Sequence, residues 1–251
     1  MVIYVASYPR SGNTFFRILL NRVLGVKTYG VERLFDKLGI TDVIGHEPLP
    51  DTIQNLNLRP ELFFVKTHDL PTDDLPAIYL MRDGRDAVAS FARYICSFSA
   101  DRYERWFAQN GSLRARLAKM SGRDPFKRRL KKVITGSYYG GWSRNVLSWT
   151  RDREGPTTLI RFEDLITDPC GSLERGLSSL SIETHEHRSS RIPTFEELNR
   201  IAPEFFRQGR SGSWRNEFTP RLYDLFWSIH GEAMDFHGYS RDSGGPPSVF
   251  N

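Results

Sequence analysis

The first twenty residues contain the feature that most constrains the fold of this chain. A short apolar run, Val2–Ser7, leads through residues 8–14, which are rich in proline, glycine and hydroxyl side chains, into an apolar-periodic segment at residues 15–20. This order predicts a strand, a loop and a helix. Such a loop surrounds an anion with backbone N–H groups and a helix N-terminus, and Arg10 and the loop hydroxyls add donors. We therefore expect a nucleotide phosphate to bind here.

The loop differs from the Walker A motif, which requires the pattern G-x-x-x-x-G-K-[ST]. It contains a single glycine, Gly12, and its cation, Arg10, comes before that glycine. A cradle for the β- and γ-phosphates of a nucleoside triphosphate is therefore not expected.

Three later segments predict further strands. Residues 62–65 and 77–81 are continuous apolar runs that end in charged residues, and residues 157–162 form a third run with β-branched side chains. We expect helices at residues 87–94 and 143–150. Continuous apolar strands that alternate with helices predict a largely parallel sheet that is covered on both faces.

The carboxyl ends of these strands are expected to form the ligand site, because parallel α/β sheets bind ligands there. Residues 66–68 and 82–86 follow two of the strands and should therefore lie near the phosphate loop. Residues 28–57 mix glycine, proline and charged side chains. We expect them to form a long excursion that carries one helix near residues 32–38 and borders the substrate.

Length and composition suit one α/β domain, since 251 residues with 39% hydrophobic side chains can bury a sizeable core. We expect this domain to span residues 1–240, with a flexible tail at 241–251 that contains Gly-Gly-Pro-Pro. No apolar run approaches the ~18 residues that a membrane span needs, and a strand that begins almost at Met1 leaves no room for a signal peptide. The two cysteines lack metal-ligand spacing. A cytoplasmic protein without a membrane span or a bound metal is expected.

The net charge of +5 is concentrated in one segment, because residues 102–132 contain eleven Lys and Arg against two acidic residues. One interpretation is a solvated helical face. Another is a basic entrance that steers an acidic nucleotide or an acidic acceptor inward. Nucleic acid is not an expected partner, since no recognisable nucleic-acid-binding motif accompanies the basic segment.

Lys66 and His68 are two residues apart at a predicted strand end, so both side chains can point into the crevice beside Arg10. A histidine can accept a proton near neutral pH, and two cations can stabilise the negative charge of a leaving group. Taken alone, a single histidine after a strand is more often structural.

Two of these segments resemble motifs of the sulfotransferases that use 3′-phosphoadenosine 5′-phosphosulfate (PAPS). Residues 8–14, Y-P-R-S-G-N-T, resemble the 5′-phosphosulfate loop Y-P-K-S-G-T-T-W, and residues 64–71 are similar to V-V-K-T-H-L-P. In that family the histidine is the catalytic base and the lysine contacts the cofactor. The resemblance implies these roles for His68 and Lys66, with Arg10 stabilising the leaving phosphate.

Two other segments are similar to the motifs that bind the 3′-phosphate in that family. Residues 82–90 resemble R-N-x-K-D-x-x-x-S, and residues 206–219 resemble R-K-G-x-x-G-D-W-K-x-x-F-T. Without the resemblance, the first would be a charged turn that opens a helix and the second a mobile surface turn. The resemblance assigns the 3′-phosphate to Arg82, Ser90, Arg207 and Gly209.

Three aromatic residues occupy positions of adenine-binding rings in the family. Phe15 replaces the loop Trp, Phe162 replaces a Tyr, and Phe195 matches a stacking Phe. Each ring by itself is also typical of an apolar core. The cofactor-binding residues that the resemblance implies are Arg10, Ser11, Gly12, Asn13, Thr14, Phe15, Arg82, Ser90, Phe162, Phe195, Arg207 and Gly209.

The chain departs from the family pattern at several positions. Arg10 replaces a lysine, and a guanidinium can clamp a leaving phosphate but cannot donate a proton to it. Gln208 replaces a lysine, which removes one positive charge from the 3′-phosphate clamp, and Ser213 replaces an aspartate. Phe162 lacks the hydroxyl of the family's tyrosine.

The resemblance implies a single-domain α/β protein with a P-loop-like three-layer fold, in which helices flank a central, largely parallel β-sheet. It also implies an enzyme that moves a sulfuryl group from PAPS to a hydroxyl or amine of a small-molecule acceptor. Two alternatives stay open: a small-molecule kinase, for which no γ-phosphate cradle or Mg²⁺ carboxylate is evident, and a catalytically silent nucleotide-binding module. The sequence identifies neither the acceptor nor the oligomeric state.

Overall fold

A computed structural model of the chain describes residues 1–31, 39–97, 124–183, 191–203, 206 and 209–241. The helix expected near residues 32–38, most of the basic segment 102–132, Arg207 and residues 242–251 lie outside the described residues. The chain forms two compact units. The first unit comprises Met1–Arg82 and Asn145–Gly209, and the second comprises Asp83–Arg144 and Arg210–Asn251.

The first unit is built on a parallel sheet. Its strands within the described residues are β1 (Val2–Ser7), β2 (Thr28–Gly30), β3 (His46–Pro48), β4 (Phe63–Thr67), β5 (Ala77–Met81) and β6 (Thr157–Arg161). They lie in the order β3-β2-β4-β1-β5-β6, and every pair of neighbours is parallel. The expected parallel sheet is therefore confirmed. Phe162, which was expected to end the last strand, instead begins a helix.

Two strands of the sheet were not expected. β2 and β3 lie within residues 28–57, where the sequence favours an irregular excursion, so that expectation was wrong in part. Each is only three residues long, which is too short for a hydrophobic period to be recognised. They join the sheet because Thr28 and Tyr29 pair with Phe64 and Val65 of β4, a partner that is distant in sequence.

Helices of the first unit cover both faces of the sheet. On one face, apolar side chains of β1 and β5 pack against helices α1 (Asn13–Leu24) and α8 (Pro169–Ser178). This core contains Ile3, Val5, Phe16, Leu19, Leu20, Ile78, Leu80, Leu173 and Leu177. On the other face, Tyr4 and Tyr79 contact the ring of Trp149, with centroid distances of 5.7 and 6.3 Å. Side chains of β1 and β5 reach both faces because successive residues of a strand point to opposite faces of the sheet. A helix–sheet–helix arrangement results, as expected.

The helices predicted at residues 15–20, 87–94 and 143–150 are present and longer than expected. In chain order the described α-helices are α1 (Asn13–Leu24), α2 (Thr41–Ile44), α3 (Ile53–Asn57), α4 (Gly84–Ser97), α5 (Pro125–Thr135), α6 (Trp142–Thr150), α7 (Phe162–Thr167), α8 (Pro169–Ser178), α9 (Phe195–Ile201) and α10 (Pro220–Phe236). Short 3₁₀ turns occur at Tyr138–Gly140 and Ser213–Asn216. Among the described residues, no helix combines the length and apolar character that a membrane span requires.

Close packing of α4 in the second unit depends on a glycine. A Cβ atom at Gly84 would lie 2.7 Å from Cε2 of Trp142 and 2.9 Å from Cζ of Phe226. Both neighbours are rings, and Trp142 and Phe226 are fully buried. Neither ring can move without disturbing the core of this unit.

We expect Gly84→Ala to lower the free energy of unfolding by about 1–3 kcal/mol, because the added methyl overpacks the core. Gly231→Ala in α10 is the matched control, since its Cβ would make an ordinary contact of 3.4 Å with Trp227. That variant should leave stability unchanged or raise it by up to about 1 kcal/mol. Urea denaturation measures both, and equal effects of the two substitutions would contradict the packing argument.

Candidate active site

The phosphate loop turns sharply between β1 and α1. Arg10 (φ 70°) and Gly12 (φ 98°) both have left-handed backbone conformations. A Cβ atom at Gly12 would lie 2.8 Å from Cδ2 of Phe162, so the position requires glycine for conformation and for space. The N-cap residue of α1 is Gly12, which has no side chain that could cap the helix. The first backbone N–H groups of the helix therefore face the loop, as an anion site requires.

Two loop side chains have different environments. Asn13 points back toward β1, where its Nδ2 donates to the carbonyl oxygen of Val5 at 2.8 Å and to Oγ of Ser7 at 3.3 Å. Any contact of Asn13 with an anion would thus come from its backbone. Ser11 is 1% exposed, and its Oγ makes no hydrogen bond within the described part of the chain. A buried hydroxyl of this kind suits an acceptor such as a phosphate oxygen.

Arg82 reaches the same loop from the end of β5. Its Nη1 donates to the carbonyl oxygen of Arg10 at 3.2 Å, and its Cζ lies 4.4 Å from the ring centroid of Phe162. Phe162 is 7% exposed and lies beneath both Gly12 and Arg82. The ring therefore supports the loop and the guanidinium, while a contact with adenine stays a prediction.

The other two aromatic residues pack against one apolar cluster. Phe15 and Phe195 both contact the cluster, which contains Ile18, Ile40, Ile44, Leu198, Ala202 and Phe206. Gly209 (φ 54°) lies close to Phe195, since a Cβ atom there would be 2.3 Å from its Cδ2. The fold thus places Phe15, Phe195 and Gly209 in one region of the first unit.

Two predicted contacts remain outside this geometry. Ser90 is partly buried on α4 of the second unit, and Arg207 lies outside the described residues. The part-buried Thr14 lies in the first turn of α1. Their roles toward a cofactor stay predictions.

His68 is held against the end of β1. Its Nδ1 lies 2.7 Å from the carbonyl oxygen of Ser7 and 3.2 Å from Oγ of the same residue. Because a carbonyl oxygen can only accept, Nδ1 carries the proton of the neutral imidazole and Nε2 is the basic nitrogen. This tautomer is the one in which Nε2 can take a proton from an acceptor hydroxyl.

Burial and neighbouring cations keep His68 neutral. Desolvation lowers the pKa of His68 well below 6.5, and the positive charges of Lys66, Arg17 and Arg10 lower it further. Desolvation, with a smaller contribution from Arg17, also lowers the pKa of Lys66 to about 7. The site therefore combines a neutral imidazole with a lysine that changes its charge near neutral pH.

Arg17 is a site residue that sequence reasoning missed. It is fully buried, its Nε donates to Oγ1 of Thr28 at 2.8 Å, and its Nη2 lies 2.7 Å from Nδ1 of His46. Burial lowers the pKa of Arg17 to about 9. The available signal was an arginine within the apolar run at residues 15–20.

Comparison with known proteins identifies the family of this chain. A family model described as a sulfotransferase domain matches residues 2–238. The chain belongs to the sulfotransferase family. It is therefore an enzyme that transfers a sulfuryl group, and neither the kinase nor the silent module is favoured.

Similar sulfotransferases align over most of their length. Human sulfotransferase 1E1 is 25% identical over 267 residues, which cover 92% of this chain and 83% of the relative. Dog (Canis lupus familiaris) sulfotransferase 1B1 is 24% identical over 266 residues, with 92% and 83% coverage.

Solved structures share the fold. Mouse sulfotransferase SULT7A1 complexed with PAP superposes with a TM-score of 0.58 at 20% identity, covering 95% of this chain and 89% of the other. Retinol dehydratase in complex with androsterone and the inactive cofactor PAP gives a TM-score of 0.58 at 18% identity, with 96% and 83% coverage.

A second missed residue of this sulfotransferase, Asp86, binds a loop of the second unit. The carboxylate is fully buried and accepts from the backbone N–H groups of Gly212 at 2.6 Å and Trp214 at 2.9 Å. The hydroxyls of Ser213 and Ser211 donate to it at 2.9 and 3.3 Å. Asp86 therefore fixes residues 211–214, which follow Gly209 closely in the chain.

We expect Asp86→Asn to lower the free energy of unfolding by about 1–3 kcal/mol, because the new amide N–H groups oppose buried donors. Residues 210–216 should also become more sensitive to limited proteolysis. The exposed Asp235→Asn serves as the control and should change stability by less than about 0.5 kcal/mol. A variant at Asp86 that matches this control would contradict the anchoring role.

Proposed function

We propose that this sulfotransferase takes its sulfuryl group from PAPS and transfers it to a hydroxyl or amine of a small-molecule acceptor in the cytoplasm. The observation that carries the proposal is the juxtaposition of three neighbouring strand ends. β4, β1 and β5 end next to one another, and they lead to His68, the phosphate loop and Arg82.

The residues of the loop fit an anionic cofactor. The buried Ser11 hydroxyl, the uncapped N-terminus of α1, and the Arg10 and Arg82 guanidinium groups are donors suited to phosphate. Two related structures hold PAP, which is the product that PAPS leaves after transfer. When bound, PAPS would supply the activated sulfuryl group.

We assign parts of the cofactor to groups of residues. The 5′ end would be held by the loop residues Arg10, Ser11, Gly12, Asn13 and Thr14. The 3′-phosphate would be held by Arg82, Ser90, Arg207 and Gly209, and the adenine would contact Phe15, Phe195 and Phe162.

His68 is the proposed base. Its Nδ1 donates to Ser7, so Nε2 is the nitrogen that would take the acceptor's proton. Lys66 and Arg10 would stabilise negative charge on the leaving phosphate, and Arg10, as a guanidinium, would act by charge alone.

The first test compares binding of PAP, AMP and ATP by calorimetry. We expect a strong preference for PAP that Arg82→Ala removes and that Arg200→Ala, an exposed arginine of the same unit, leaves intact. ATP binding that equals or exceeds PAP binding would contradict the proposed cofactor.

The second test separates the base from the binding site. We expect His68→Ala to retain PAP affinity and to lower turnover by about 10²- to 10⁴-fold. Turnover is measured as release of PAP from PAPS with water, phenols, alcohols and amines as acceptors. Unchanged turnover in His68→Ala would contradict the role of His68 as base.

We also expect PAP binding at pH 7.5 to take up a proton at Lys66. The free amine, with its pKa of about 7, is largely neutral at that pH, and a bound anion raises the pKa. Calorimetry in buffers of different ionisation enthalpy should detect uptake of about half a proton or more. The guanidinium of Lys66→Arg stays charged at pH 7.5, so this variant should bind PAP without proton uptake. Equal uptake in both proteins would contradict the assignment to Lys66.

A further inference from the structure

A chain of hydrogen bonds links the phosphate loop to the backbone of His68 through two buried side chains. The backbone N–H of Tyr8 donates to Oη of Tyr79 at 3.2 Å, and this hydroxyl donates to Oδ1 of Asn145 at 2.7 Å. Nδ2 of Asn145 then donates to the carbonyl oxygen of His68 at 2.9 Å. Tyr79 and Asn145 are both 0% exposed.

The imidazole of His68 closes this chain into a circuit. Its Nδ1–H donates to the carbonyl of Ser7, and that carbonyl belongs to the same peptide group as the N–H of Tyr8. We call the bonds that join His68, the Ser7–Tyr8 peptide, Tyr79 and Asn145 the hydrogen-bond circuit. Each member donates to the next in one direction, and hydrogen bonds arranged in this way polarise one another.

The direction of the circuit is fixed by chemistry. A reversed Asn145 amide would place Oδ1 against the carbonyl oxygen of His68, where two acceptors would face each other. Burial raises the pKa of Tyr79, so its hydroxyl keeps the proton that it donates. The circuit therefore favours the tautomer of His68 with hydrogen on Nδ1 and electron density on Nε2.

The helix that carries Asn145 makes a second contact of the same kind. Trp149 lies one turn later on the same face of α6, and its Nε1 donates to the carbonyl oxygen of Asp69 at 2.9 Å. Its ring also stacks on Tyr79 at a centroid distance of 6.3 Å. One helix therefore holds two successive carbonyls after β4, those of His68 and Asp69.

We propose that Tyr79 and Asn145 are positioning residues, which fix the tautomer of His68 and its place relative to the phosphate loop. The inference rests on the proposed function, because it takes His68 as the base. Two buried polar side chains in a sheet-covering core are costly unless each is fully bonded, and apolar side chains would fill the same space. A role in orienting the base accounts for their presence.

The test breaks the circuit at one hydroxyl and reads the imidazole directly. In protein labelled with ¹⁵N-histidine, with the His68 signals assigned by comparison with His68→Ala, we expect the Nδ1–H tautomer in the unaltered chain. Tyr79→Phe keeps the ring and removes the donor, and it should change the tautomer ratio of His68 at least about tenfold in favour of Nε2–H. An unchanged ratio would overturn the proposal.

Tyr4→Phe is the matched control. Tyr4 lies on the same face of the sheet, also contacts Trp149, and donates its hydroxyl to Asp73 at 2.8 Å rather than to the circuit. We expect this variant to leave the His68 tautomer and turnover unchanged. A similar change in both tyrosine variants would indicate a general loss of structure and would overturn the proposal.

Turnover supplies a second readout that separates positioning from stability. Tyr79→Phe should lower kcat for PAP release about 10- to 100-fold with little change in PAP affinity, and should cause no further loss in the His68→Ala background. An equal loss in both backgrounds would overturn the proposal. Should Tyr79→Phe fail to fold, Asn145→Ala breaks the next bond of the circuit and is judged by the same readouts.

Failure of the positioning role can be told apart from failure of the proposed function. An unaltered chain that releases no PAP from PAPS would contradict that function. Normal turnover that falls in His68→Ala but not in Tyr79→Phe would overturn only the positioning role.

Discussion

Parallel pairing of β1 with β4 on one side and β5 on the other is the interaction on which the site depends. The register places Ala6 beside Thr67 and Ser7 beside Leu80, so the three strands end almost level. Helices on both faces bury their apolar side chains, so charged side chains gather toward the ends of these strands, as Lys66 does near the end of β4. The phosphate loop, His68 and Arg82 meet there although more than seventy residues separate the first from the last.

Burial at this edge determines the charge state of the groups that meet there. Lys66 and His68 lose hydration and face Arg17, a buried cation, so their pKa values fall together. Lys66, Arg17 and Arg10 act electrostatically on His68, and reduced hydration strengthens such charge interactions. This arrangement suits sulfuryl transfer, in which the protein binds an anionic donor and stabilises the charge that develops on its leaving group.

The departures from the family motifs have structural counterparts in this chain. Phe162 lies beneath Gly12 and Arg82, a buried position in which an aromatic ring supports the loop without a hydroxyl. Ser213, in place of an aspartate, donates to Asp86, so its segment is anchored by hydrogen bonds to a single carboxylate. Arg10 adopts a left-handed conformation that is unfavourable for a residue with a side chain, which is typical of strain held at a functional loop.

The sequence alone predicts the strand–loop–helix at the N-terminus and the main strands and helices. It also indicates His68 and Lys66 as candidate site residues, whereas Arg82 is indicated by the family resemblance. Periodicity and motif spacing are local properties, and these features depend on neighbours within a few residues. Tertiary structure alone decided the strands β2 and β3, the burial of Arg17, the anchoring by Asp86 and the circuit through Tyr79 and Asn145. Each of these depends on a partner 11 to 128 residues away, and a side chain's burial and hydrogen bonds exist only after distant segments have packed together.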